Sequence, residues 1–259
     1  MTTGLPDKIA KPVHEKLIGR NTKREKITAE LYYQYLKTLV KIKAWKINQR
    51  HEAPIKPLEL IYVDPDKLYN RYNSNPSSKN ILPSIVGGDW DLSYRDGIKD
   101  SPRLKAIQSY IDRNQKWEET EYYKNQKQRF EKNESQWGAN TKDSLDQKFG
   151  RLESLIDSIK EQGYGKQREL PNDKPKVNDK IDHLLKEFNE IKVHIGREGQ
   201  FLLASGGHRT TIARALNINK IPVRIVCRHS LWQQKRDKIK KTKNLPDDLE
   251  NHRDLQNLI

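Results

Sequence analysis

The 259-residue sequence predicts an α+β fold, because strand-like and helix-like segments follow in the order strand, helix, hairpin, helix, strand. Hydrophobic residues make up 34% of the chain and charged residues 33%, too polar a balance for one large core over the whole length. No internal repeat is present in the sequence. We therefore expect one compact domain with solvated helical segments and a poorly ordered tail.

The N-terminal part predicts a basic helix outside the domain core. Thr22 and, three residues later, Glu25 form a capping box that opens a helix over 22–46. Its apolar stripe is expected to comprise Ile27, Leu31, Tyr35, Leu36 and Leu39. Prolines near position 56 then mark a boundary, so residues 1–56 are expected to form a helical extension.

The middle of the chain indicates that two separate segments of the sequence form the core. Alternation in "LELIYVD" predicts a strand over Leu58–Asp64, and Gly87–Asp96 is expected to be extended or turning. From Ser101 to about Phe130 the pattern is helical and strongly polar. The expected division is a core formed by 57–95 and 146–230, with a polar helical insertion at 96–145.

The second half of the chain supplies the remaining elements of the core. One helical face carries Phe149, Leu152, Leu155, Ile156 and Ile159, and Gly163 ends that helix. A hairpin follows, then a short helix, a closing strand, and a basic helix and tail at 231–259. The hairpin strands, the helix and the closing strand are expected at Ile191–Ile195, Phe201–Ala204, Thr210–Leu216 and Ile221–Val226.

The charge of the chain favours polyanionic partners. The formal net charge is +15, and residues 1–56 hold thirteen basic against five acidic residues. A second basic cluster lies at 235–243; solubility of the two ends is the alternative interpretation. Cys227 is the single cysteine, which excludes internal disulfides and favours a reducing compartment, so a cytoplasmic protein is expected. No apolar run reaches the ~18 residues of a membrane span, and no membrane partner is expected.

The junction Gly206-Gly207-His208-Arg209 is the main candidate for a functional site in the sequence. Glycines before a helix let the backbone approach a ligand, and a helix N-terminus leaves N–H groups unpaired with a partial positive charge. Arginine binds two oxygens, histidine donates or exchanges a proton, and Thr210 and Thr211 add hydroxyls. The junction is therefore a candidate phosphate cradle. The alternative is a tight turn with Arg209 in a surface salt bridge and His208 packed.

This segment resembles the ParB/sulfiredoxin superfamily, whose members place G-x-H-R or G-x-R-R between a strand and a helix. The preceding helix, Arg151-Leu-Glu-Ser154-Leu155-Ile-Asp157-Ser158-Ile159, is similar to a sulfiredoxin pattern, and the strand, turn, strand order matches too. The likeness covers roughly 58–70 and 146–230. It implies a small mixed sheet with flanking helices.

The resemblance also implies a nucleotide site. Arg151, Ser154 and Ser158 should face the same phosphates as the glycines, His208 and Arg209, and their spacing places all three on one helical face. The implied ligand is ATP, ADP or CTP with Mg²⁺. Catalytic roles would fall to His208 and Arg209.

Some residues of this chain differ from the superfamily motifs, and these differences limit which activities are expected. Sulfiredoxins carry a cysteine where this chain has Gly207, so sulfinic-acid reduction is not expected. The G-E-R-R form of chromosome-partitioning ParB proteins is absent from the sequence. Asp89, Asp91 and Glu190 are candidates for a general base.

Three other features have two interpretations each. Asp89 and Asp91 in "GGDWD" could bind Mg²⁺ or form turns. The aromatic residues of "WEETEYY" at 117–123 could stack on bases or pack on the core. The N-terminal helix could lie on nucleic acid or dock on the core.

Two functions follow from the sequence. The first is a nucleotide-binding protein that catalyses NTP hydrolysis or phosphoryl transfer. The alternative is a non-catalytic DNA- or RNA-binding protein, in which the same pocket and the basic ends contact backbone phosphates. A scaffold with a vestigial pocket is a third possibility.

Overall fold

A computed structural model describes residues 23–71, 81–132, 134, 141–169 and 186–259, and it confirms the α+β class. Helices pack on a mixed sheet. The α-helices of the described chain are α1 Lys23–Asn48, α2 Pro102–Arg113, α3 Glu121–Glu131, α4 Lys142–Gln162, α5 Gly207–Ala215 and α6 Ser230–Thr242. None of the helices in these ranges is both long enough and apolar enough to cross a membrane.

The sheet is built around its longest strand. The strands are β1 Leu60–Val63, β2 Leu68–Arg71, β3 Ser84–Val86, β4 Tyr94–Arg95, β5 Ile191–Ile195, β6 Phe201–Ser205 and β7 Ile221–His229. Their order is β1-β7-β5-β6-β2-β4, with β3 also paired to β7. The β5–β7, β2–β6 and β3–β7 pairs are parallel, whereas β1–β7, β5–β6 and β2–β4 are antiparallel. Every residue of β7 is buried.

Most predicted elements of the core are confirmed. The predicted first strand is β1, the hairpin is β5 with β6, and the amphipathic helix is α4, which ends at Gly163. The helix predicted at Thr210–Leu216 begins earlier, at Gly207, and the closing strand continues to His229. Apolar residues of the sheet, α5, α6 and the C-terminal segment form the main hydrophobic cluster.

Helices α2, α3 and α4 build a second hydrophobic cluster. Trp117, Tyr122 and Tyr123 are buried against α4 and Ile212 of α5. Trp117 Nε1 donates to Glu153 at 2.8 Å, while the glutamates of "WEETEYY" remain exposed. The aromatic residues therefore pack on the core, which leaves none of the three free to stack on bases.

Helix α1 docks through a stripe that shares Leu36 with the predicted one and differs at the other described positions. Leu36, Val40 and Ala44 are buried, and Leu36 and Val40 pack with Phe188. Leu31 and Tyr35, both predicted to be inward, are exposed, and Leu39 is half-buried; Thr22 and the side chain of Ile27 lie outside the described residues. The face of α1 that packs on the core follows the four-residue spacing of Leu36, Val40 and Ala44. The predicted stripe was therefore displaced around the helix axis from the observed one.

The C-terminal segment is packed, so the expectation of a poorly ordered tail was wrong. Trp232 of α6 is completely buried, and Leu255 and Leu258 join the main cluster. Asp254 is also buried, and it bridges two buried arginines, Arg228 and Arg236. Basic composition suggested a solvated tail, but apolar and paired residues at intervals attach it to the sheet.

Candidate anion-binding site

The β6–α5 junction requires glycine at its first position. Gly206 caps α5 with φ of 94°, a left-handed conformation that residues with a Cβ atom rarely adopt. A Cβ atom at Gly206 would also lie 2.8 Å from Ile191 Cγ1. The next residue, Gly207, begins the helix, so its N–H and those of His208 and Arg209 have no intrahelical acceptor.

The two threonines hold the junction from inside. Thr210 and Thr211 are buried, and their hydroxyls donate to Gly206 O at 3.2 Å and Gly207 O at 2.8 Å. Their hydroxyl hydrogens are thus used within the helix, not presented to a ligand.

His208 and Arg209 diverge from the junction. His208 Nε2 lies 2.9 Å from the Tyr122 hydroxyl oxygen of α3. Arg209 instead donates from Nη2 to the carbonyl oxygen of Asn189, just before β5. The two residues predicted to act together therefore face different surroundings.

His208 is neutral near pH 7. Burial lowers the pKa of its imidazole to about 4, and the charge of Arg103 acts in the same direction. A neutral imidazole exchanges a hydrogen bond with Tyr122 but adds no positive charge for an anion.

This shift predicts a pH dependence of stability. Because the pKa of His208 is about 4 when folded and 6.5 ordinarily, the unfolded chain takes up the proton first. The free energy of unfolding is thus unaffected by this proton above pH 6.5, and it decreases as the pH falls from 6.5 toward about 4. We expect the melting temperature of His208→Gln to vary less with pH over this range than that of the wild type. Equal pH profiles would contradict the shift.

A cavity of about 500 Å³ opens beside Gly207. It lies between the start of α2, the length of α3 and the start of α5. Its basic lining residues are Arg103, Arg129 and Lys132, and Glu134 is the one carboxylate among the described lining residues. Amide side chains of Asn70, Asn125, Gln126 and Gln128 complete the polar wall.

Arg103 connects the cavity to the glycine junction. A Cβ atom on Gly207 would lie 3.0 Å from Arg103 Nη1, so the glycine lets the guanidinium approach the helix N-terminus. The guanidinium also lies over the Tyr122 ring, 5.5 Å from its centroid. Arg103 Nε and Asn70 Oδ1 are buried without a hydrogen-bond partner in the described chain. Positive charge and unused polar atoms thus converge on one wall.

Three predicted site residues on α4 are not brought to this wall. Arg151 and Ser154 are exposed, and Ser154 Oγ donates to Gly150 O at 3.0 Å. Ser158 is half-buried, and none of the three lines the cavity. The reason is that Phe149, Leu152, Ile156 and Ile159 turn toward the second cluster, so the serine face points elsewhere.

Arg103 was missed although a signal was present. Ser101 caps α2 through Leu104 N, and Pro102 occupies its first turn, a common sequence signature of a helix start. An arginine directly after that signature indicates a second basic helix N-terminus. Nothing in the sequence showed that the start of α2 would lie next to the N-terminus of α5.

Asp89 and Asp91 both accept hydrogen bonds from Arg197. Arg197 Nη2 donates to Asp89 Oδ1 at 2.8 Å, and Arg197 N donates to Asp91 Oδ2 at 2.6 Å. Burial alone would raise the pKa of Asp91, but the hydrogen bonds from Arg197 outweigh it and the pKa lies below its ordinary value. In the described ranges no group of three or more His, Cys, Asp or Glu could hold a metal ion. These residues therefore do not fit a magnesium ion held by the protein itself.

Comparisons with protein families, curated proteins and solved structures found no match for this chain. The ParB/sulfiredoxin relationship stays a prediction from the sequence.

Proposed function

We propose that this chain binds a nucleotide through its phosphate groups in the cavity beside Gly207. The observation that carries the proposal is Arg103, whose guanidinium lies against the N-terminus of α5 with a buried nitrogen left unpaired in the described chain. Helix N-terminal N–H groups and a guanidinium together match the oxygens of a phosphate.

The rest of the cavity suits the same ligand. Its volume of about 500 Å³ lies within the range of small-molecule sites. Arg129 and Lys132 extend the positive wall from α3, and the amide side chains offer both donors and acceptors.

NTP hydrolysis or phosphoryl transfer is the reaction class that such a wall could support. Arg103 and Arg129 would neutralise charge that develops on the phosphoryl oxygens. Glu134 is the candidate to orient a nucleophile, because it is the carboxylate that lines the cavity in the described chain. His208, neutral and bonded to Tyr122, would position that tyrosine.

The proposal predicts a nucleotide-dependent rise in melting temperature that requires Arg103. ATP, ADP, CTP and GTP would each be added with and without magnesium. A ligand at a hundredfold excess over Kd stabilises the folded state by about 2.7 kcal/mol, or roughly 5–10 °C for a chain of this size. Arg103→Ala should lose the shift, whereas Arg113→Ala, an exposed arginine at the other end of α2, should keep it.

A wild-type protein that shows no shift with any nucleotide would overturn this proposal. The solvent face of α1 then indicates the alternative, DNA or RNA binding. It exposes Trp45, Tyr35, Lys41 and Lys46, residue types that proteins use to stack on bases and contact phosphates. Affinity that falls steeply with salt and is lost in Trp45→Ala would support that function.

A further inference from the structure

Three cationic side chains of β5, α5 and β7 lie close enough to interact electrostatically. Lys192 and Arg224 are register partners on the parallel strands β5 and β7, so their side chains lie next to each other on one face of the sheet. Arg209 reaches the same end of β5, where it bonds to Asn189 O. We call Lys192, Arg209 and Arg224 the cation cluster; Arg224 is buried, and Lys192 and Arg209 are half-buried.

The donors of this cluster are poorly satisfied. Arg224 is completely buried and lies over the Phe188 ring, and only its Nη1 makes a hydrogen bond, a long one of 3.4 Å to Ile81 O. Arg224 Nε and Nη2 and Arg209 Nη1 have no hydrogen-bond partner in the described chain, and the Tyr164 hydroxyl interacts with Arg209. Buried donors are normally paired, so the three unpaired guanidinium nitrogens make this cluster a candidate site for an anion.

The nearby carboxylates do not balance the charge. Glu190 is buried, and one oxygen accepts from Gln167 N at 2.8 Å while the other has no partner among the described residues. Burial raises the pKa of Glu190, which weakens it as a counter-ion. Glu187 is engaged by the Tyr33 hydroxyl at 2.5 Å and by Lys37 Nζ at 3.5 Å.

The electrostatics of the cluster agree with its geometry. Burial, and then the charges of Arg224 and Arg209, lower the pKa of Lys192 to about 8. Burial lowers the pKa of Arg224 to about 10. An anion among these groups would offset the cost of burying these charged side chains. It supplies the opposite charge and accepts from the unpaired donors.

We propose that the cation cluster binds a phosphate group, held by Arg209 and Arg224 with Lys192 and the Tyr164 hydroxyl as further donors. Tetrahedral oxygens match two planar guanidinium groups and an ammonium better than a single halide does. This anion site is separate from the nucleotide cavity, and it does not depend on the function proposed for that cavity. The phosphate could be free or part of a larger molecule.

The test uses inorganic phosphate and pyrophosphate on the full chain, with chloride at matched ionic strength as the reference. We expect both phosphates to raise the melting temperature of the wild type and to saturate. Arg224→Met should abolish that shift. Without phosphate it should melt at or above the wild-type temperature, because an apolar side chain of similar length replaces an uncompensated buried charge.

Two further variants keep the outcomes distinct. Lys192→Met, at a half-buried position, should weaken phosphate binding measured by calorimetry even if Arg224→Met does not fold. Arg103→Ala should keep the phosphate shift while it loses the nucleotide shift. The inference is wrong if the wild type shows no shift with either phosphate or pyrophosphate, or if Arg103→Ala removes the shift. A shift that saturates with pyrophosphate alone would identify the ligand as part of a larger polyphosphate.

Discussion

Replacing Asp254 with alanine is expected to lower the free energy of unfolding by about 3–5 kcal/mol, the usual cost of breaking a buried ion pair from one side. Its carboxylate accepts from Arg228 Nε at 2.9 Å and Nη2 at 2.5 Å, and from Trp232 Nε1 at 2.9 Å. Arg236 Nε lies 3.1 Å from the same carboxylate. The variant would leave two buried guanidinium groups without their counter-ion. Urea denaturation monitored by tryptophan fluorescence measures the change.

Asp247→Ala is the matched control for this prediction. Asp247 lies in the same C-terminal segment but is exposed, so its removal should change the free energy of unfolding by no more than about 0.5 kcal/mol. Equal effects of the two substitutions would show that the C-terminal segment does not depend on the Arg228–Asp254–Arg236 group. A small effect of Asp254→Ala would show that water solvates both arginines.

The strands and helices of the core could be predicted because their signals are local. Alternation in β1, the glycine turn between β5 and β6, and the apolar face of α4 each depend on residues a few positions apart. The glycines of the junction were recognisable for the same reason. Gly206 stands where a strand ends and a helix begins, and its φ of 94° is the reason for a glycine.

The partners of these elements could not be predicted, because they depend on contacts between distant residues. Arg103 meets Gly207 across more than a hundred positions, and Asp91 meets Arg197 in the same way. The helical spacing of Arg151, Ser154 and Ser158 placed them correctly relative to one another. It could not show that their face of α4 would point away from the glycine junction.

The two junction glycines should separate folding from ligand binding. Gly206→Ala is expected to lower the free energy of unfolding by about 2–4 kcal/mol, because a left-handed residue with a Cβ atom costs about 1–2 kcal/mol and overpacking a similar amount. The new methyl group would lie 2.8 Å from Ile191 Cγ1 and 3.2 Å from the backbone Cα atom of Ile191, which cannot easily move. Denaturant unfolding without ligand measures this loss.

Gly207→Ala makes the comparison decisive, because it adds the same methyl group one residue later with the opposite expectation. Its φ is not positive, and the new atom would meet only the end of the flexible Arg103 side chain at 3.0 Å and Leu203 Cδ2 at 4.0 Å. The stability of this variant should stay close to that of the wild type, while the displaced guanidinium should weaken the nucleotide-dependent shift in melting temperature. If Gly207→Ala kept the full shift, Arg103 would not act on the ligand through its contact with Gly207. If it unfolded as readily as Gly206→Ala, the junction would be a structural turn at both positions, and the proximity of Arg103 would have no bearing on phosphate.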